Sequence, residues 1–234
     1  MSDGRSYSYQ YSYPWTAAQP QRRGFSTSAK EIVEITVAFL VLTFDFVLIM
    51  YGAGAFSGAT LASFARVPLW LVLIAATTAL TAFVAHEMAH KISAQRRGYW
   101  AEFRWSPVGL AFSVVTAYLG FLFAAPGATV VGGMGDPRDW ARTSLAGPLT
   151  NAGFSAVFYV ASLGAVAVGS VFAPWLFFLA WINGWFGTFN LIPIGPLDGA
   201  KVLRVSASMW AGAMAVTLLL AALGILGLYG YFVP

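Results

Sequence analysis

PVGLAFSVVTAYLGFLFAAPGATVV, residues 107 to 131, is the stretch on which the topology of this 234-residue chain turns. Its first half is apolar enough to enter a bilayer, yet Pro126-Gly127 and Gly132-Gly133 are turn signals that cut it short. The two readings differ by one membrane crossing, and so by the side on which everything downstream lies. Lys and Arg accumulate in cytoplasmic loops and discriminate between them. If the stretch crosses, eight of the 13 basic residues share the side of the amino terminus; if it enters and returns, twelve do and only Arg66 is left opposite. We therefore read it as a re-entrant, β-like hairpin, and expect the aromatic run Tyr99 to Trp105 to be able to pair as a strand. Backbone that is not helical at membrane depth must be buried in protein or line a wet cavity.

The rest of the chain sets the context. Hydrophobic residues make up 59% and charged residues 9%, with a mean hydropathy of +0.71, which excludes an ordinary soluble domain. Runs of about Ile32 to Gly54, Val67 to Ala94, Ala141 to Gly169, Trp175 to Ile194 and Ala207 to Tyr231 are each near the roughly 20 residues a crossing needs. The expected fold is an all-α polytopic membrane protein with about five transmembrane helices and the re-entrant hairpin between the second and third. Residues 1–30 are rich in Ser, Tyr, Gln and Pro and read as a disordered cytoplasmic tail ahead of a membrane-embedded domain over 31–234. Arg22, Arg23 and Lys30 before the first span argue for a cytoplasmic amino terminus in a multi-pass protein of the cell membrane. The net charge of +4 follows this topology, and no nucleic-acid partner is expected. Cysteine is absent, so neither a disulfide nor a thiolate ligand or nucleophile is available.

The second span contains the only two histidines of the chain, in TAFVAHEMAHKISAQ, residues 81 to 95. His86 and His90 are four apart on a helix and share one face. Two neutral imidazoles in that arrangement can bind one zinc ion, which lowers the pKa of a bound water to about 7, and Glu87 beside them can act as general base. A chance H-E-x-x-H is about a one-in-a-hundred event at average residue usage, and ionisable groups inside a membrane are functional candidates by default. The chemistry is hydrolysis of an amide. A metal-binding transporter would instead be expected to string acids and His along a path through several spans, and a non-proteolytic membrane protein of this fold would be expected to lack Glu87.

Zinc needs a third protein ligand, and Asp45 and Asp198 are the contenders. Asp198 lies in NLIPIGPLDGAK after Pro193 and Pro196 and before Gly199, where a regular helix is impossible and an unwound segment can swing a carboxylate inward. It is the better placed. Asp45, halfway along the first span, reads alternatively as a buried group hydrogen-bonded to another helix. Asn190 can either direct its NH2 at a developing oxyanion or bridge helix backbone freed by Pro193. In AGPLTN, residues 146 to 151, Gly147 permits close helix approach and Asn151 a bond across helices.

HEMAH at 86 to 90, AGPLTN at 146 to 151 and NLIPIGPLDG at 190 to 199, in this order, resemble the site-2 protease family of intramembrane zinc metalloproteases. The resemblance implies a three-helix catalytic core over about residues 67–200, with a sheet-like membrane-associated segment inside it. It implies one Zn2+ per chain held by His86, His90 and Asp198, with Glu87 as base and Asn190 at the oxyanion. Gly147, Asn151, Pro193 and Gly199 are supporting positions of the matched motifs. The substrate implied is the transmembrane helix of another membrane protein, cut within the lipid bilayer. The chain resembles a compact prokaryotic, archaeal-type member, with no room for an appended PDZ or CBS domain.

Overall fold

The computed structural model describes residues 24–52 and 66–232. Residues 1–23 of the expected tail, and nearly all of the loop after the first span, lie outside them. In chain order the elements are α1 (Ala29–Met50), α2 (Leu69–Arg96), β1 (Trp100–Trp105), α3 (Pro107–Tyr118), β2 (Gly127–Gly132), α4 (Pro137–Ala167), α5 (Ala173–Asn190), α6 (Asp198–Leu203) and α7 (Ala207–Phe232).

Among the described residues, four helices are long and apolar enough to cross a membrane: α1, α2, α4 and α7. The remaining expected span is α5. Its 18 residues reach about 27 Å at 1.5 Å per residue, close to the ~30 Å hydrocarbon core. Asn183, Asn190 and its Trp and Gly residues lower its hydropathy. It is an interior helix, packed between α4 and α7, with Phe177, Ala180 and Asn183 buried.

Residues 107 to 131 leave and return at one point. β1 and β2 pair antiparallel in a register running from Trp100 opposite Gly132 to Trp105 opposite Gly127, and the Ser106 N–H donates to the Pro126 carbonyl at 2.9 Å. The stretch is therefore re-entrant. Its first half is helical rather than extended. Ser106 caps the helix by accepting from the Gly109 N–H at 3.1 Å, and Pro107 occupies its first turn, where a missing N–H costs nothing. Twelve residues span about 18 Å, too short to cross.

A buried polar network fixes this hairpin. Glu31 Oε1 accepts from the Phe103 N–H at 2.9 Å, Glu34 Oε2 from the Trp105 N–H at 3.3 Å, and Gln95 Nε2 donates to the Ala101 carbonyl at 2.9 Å. The outer edge of β1 is thus closed by side chains of α1 and α2. Glu31 also pairs with Lys91, which is fully buried and lies over the Phe25 ring. A buried charge requires such a partner. The apolar core beneath joins Leu42 and Phe46 of α1, Ala79 and Phe83 of α2, Phe103 of β1 and Leu110 of α3. Asp45 faces α3, where Ser113 Oγ donates to it at 2.6 Å.

Candidate metal centre

Just before the histidines, α2 passes through a π-helical turn at Ala79–Val84. Such a turn loosens the regular ladder and is common at functional sites. Asn151 of α4 uses the loosened carbonyls: its Nδ2 donates to Ala82 O at 3.1 Å and lies 3.4 Å from Thr81 O. Carbonyls only accept, so the amide is oriented with Oδ1 toward His86, 2.6 Å from Nδ1. Asn183 of α5 completes the junction by donating to Thr81 Oγ1 at 3.0 Å.

Asp198 arrives from the other side of the site. After α5 ends, Pro193 and Pro196 prevent a helix, and the chain folds back on that end so tightly that a Cβ on Gly199 would lie 1.9 Å from the Leu191 carbonyl oxygen. Trp210 of α7 ties the same carbonyl with an indole N–H at 2.7 Å. The turn delivers Asp198 Oδ2 to 3.0 Å from His90 Nε2 and 3.4 Å from His86 Nε2. The two Nε2 atoms are 3.0 Å apart, and all three side chains are buried. Lys201 donates to the other oxygen, Oδ1, at 2.9 Å.

The donor set fits a cation. His90 Nδ1 lies 2.7 Å from the Thr143 carbonyl and His86 Nδ1 faces the Asn151 oxygen, so both protons sit on Nδ1 and both Nε2 atoms present lone pairs. Two lone pairs and a carboxylate oxygen at such distances repel unless a positive charge lies among them. Two nitrogens and one oxygen suit zinc. Gly147 of α4 makes the room, since a Cβ there would sit 2.4 Å from His90 Nε2 and 2.5 Å from His86 Nε2.

Glu87 stands outside this set. Its Oε2 accepts from the Thr129 N–H of β2 at 2.7 Å and lies 2.8 Å from Thr129 Oγ1. A cavity of about 390 Å³ opens between β2, α2 and the end of α5, lined in part by Phe83, Glu87, Thr129, Trp185 and Asn190. Asn190 faces it, while its Nδ2 donates to Phe186 O at 2.9 Å within its own helix. Asp45 is not in the ligand cluster. Sequence reasoning named His86, His90, Glu87, Asp198, Gly147 and Asn151, all of which meet at the site. It missed Thr143, Asn183 and Thr129. Thr143 acts through its carbonyl and carries no side-chain signal, whereas the alternation of β2 could have flagged Thr129.

Comparison with known proteins points to zinc metalloproteases. The profile described as Peptidase family M50 matches residues 163–224, which include the Asp198 turn and leave HEMAH outside. Two relatives carry the name "Putative zinc metalloprotease". MJ0611 of Methanocaldococcus jannaschii is 29% identical over 195 residues, 80% of this chain and 90% of the relative. Rip3 of Mycobacterium tuberculosis is 30% identical over 155 residues, 64% of this chain and 35% of the relative. No solved structure matches significantly.

Proposed function

The chain belongs to the site-2 protease family, Peptidase family M50, and on that premise we propose that it cuts peptide bonds inside the transmembrane segments of other membrane proteins. It is a multi-pass membrane protein and its cofactor is zinc. In the proposed site His86, His90 and Asp198 hold one ion and Glu87 is the general base. The domain over 31–234 works as one unit around the core at about 67–200. The carboxy-terminal end of α2 faces the cytoplasm, as the basic residues indicate.

One observation carries the reading: three buried ligand atoms converge while a second acid, Glu87, one residue from the first ligand, is held outside the set and beside a cavity. Bound zinc supplies Lewis acidity and lowers the pKa of water. The other contributions belong to the chain. Asn151 and Thr143 fix the imidazole tautomers, and Lys201 holds Asp198 so that a single oxygen faces the histidines. Glu87 is free of the ligand set and can take a proton. Asn190, once released from Phe186, can donate to an oxyanion.

A substrate helix must unwind before it is cut, because its peptide bonds are held in its own hydrogen bonds. The sheet edge offers a replacement partner for the freed strand. The edge of β1 is closed by Glu31, Glu34 and Gln95, so the strand would join β2 on the cavity side. The test is Glu87→Gln in reconstituted protein, with a labelled single-span substrate. Zinc content should match wild type and cleavage should vanish. Loss of zinc together with activity would make Glu87 a ligand or structural group, and retained cleavage would remove it as base.

A further inference from the structure

Thr129 and Phe103 face each other across the hairpin. Phe103 turns its N–H to Glu31 and Thr129 turns its own to Glu87, so neither N–H points at the partner strand. This is the non-hydrogen-bonded pair of an antiparallel ladder, whose N–H and C=O groups face outward. By the two-residue alternation Gly127 and Val131 direct theirs the same way, into the cavity. The outer edge of β2 is therefore the edge that the strand invoked above would join, and its central donor, the Thr129 amide, is already bonded to Glu87.

We propose that Thr129 couples substrate docking to release of the base: a strand added to β2 takes the Thr129 N–H from Glu87, which stays held by the Thr129 hydroxyl alone. The inference rests on the protease reading above. Two donors of Thr129 reach one carboxylate oxygen, the amide at 2.7 Å and the hydroxyl at 2.8 Å, and the hydroxyl also lies 2.9 Å from the Glu87 main-chain carbonyl. Both contacts are to Oε2. An arriving carbonyl competes for the amide and not for the hydroxyl, because only the backbone donor lies in the plane of the ladder. Docking thus removes one of the two bonds that quench the carboxylate and leaves the other to aim it. Without a strand at the edge the base stays doubly bonded, which suits an enzyme whose substrate must first be unwound. Thr129 is accordingly a positioning residue, acting through Glu87.

The coupling predicts competition, which can be read without turnover. The probe is a short labelled peptide of alternating valine and threonine, bound to zinc-free full-length protein in detergent and followed by fluorescence anisotropy. Glu87→Ala should bind it about five- to tenfold more tightly than wild type, since the amide no longer has a rival. Thr129→Pro, which lacks the amide at an edge position that tolerates proline, should bind it more weakly in both backgrounds. In zinc-loaded protein with a single-span substrate, Thr129→Val should lower kcat about tenfold with KM within about twofold, and Thr129→Ser should restore it. Equal or weaker binding by Glu87→Ala would overturn the coupling, as would a Thr129→Val enzyme with wild-type kcat. If the binding results hold and wild type cuts no transmembrane substrate, the protease reading fails, and with it the role of Glu87 as base, while the competition for the Thr129 amide stands.

Discussion

Replacing Gly147 with alanine tests the metal centre most directly. The added Cβ would lie 2.4 Å from His90 Nε2, 2.5 Å from His86 Nε2 and 2.6 Å from His86 Cε1. Ordinary contact begins near 3.5 Å, so the rings or the helix must give way by about 1 Å. The rings have little freedom to do so. Asn151 holds His86 at 2.6 Å and the Thr143 carbonyl holds His90 at 2.7 Å, and both partners are on α4, the helix that carries the new methyl group. Ligand distances in a zinc site must hold to about 0.2 Å, so at least one imidazole leaves coordination range. We expect zinc affinity to fall at least ~100-fold, about 2.8 kcal/mol at 1.4 kcal/mol per tenfold. The assay is a competition titration against a chromophoric chelator, with thermal unfolding measured in parallel. Gly153→Ala is the control, on the same helix with nothing within 4 Å of its added Cβ. It should keep wild-type zinc affinity. If Gly147→Ala also binds zinc within about threefold of wild type, α4 does not approach the histidines this closely, and these side chains are not shaped around a zinc ion.

Two further outcomes follow from the buried acids. Metal analysis of purified protein should give one zinc per chain in wild type and in Asp45→Ala, and none in Asp198→Ala, because Asp45 bonds Ser113 instead of facing the histidines. Lys91→Met should lower stability by about 3–5 kcal/mol, since it strands the Glu31 carboxylate without its cation. Adding Glu31→Gln should recover much of that loss in the same thermal assay, and no recovery would mean that the ion pair is not the source.

The topology was legible in residues 107 to 131 because charge asymmetry and turn residues are local signals. The count of basic residues favoured a re-entrant segment, and the bond from Ser106 to Pro126 closes it. The helical first half was not legible. Apolar runs of that length satisfy a strand and a short helix equally, and the choice is made by the cap at Ser106 and by the packing of Leu110, Ser113 and Ala117. The acids at the start of α1 were similarly opaque. Glu31 and Glu34 look like ordinary solvated residues until the edge of β1, far along the chain, is laid against them.

The sequence by itself determined the elements of the chemistry: two histidines one helical turn apart, an acid between them, and a proline-broken segment with an aspartate and a glycine at its end. Those follow from helix periodicity and backbone sterics, which act over a few residues. Only the tertiary structure placed Asp198, and not Asp45, beside the two histidines. It also decided that Gly147 is required by the imidazoles above it, that Asn151 and Thr143 set the tautomers, and that Glu87 rests on the Thr129 edge. Each of these is a contact between groups more than 40 residues apart in sequence, and its energy depends on distances that no local pattern encodes.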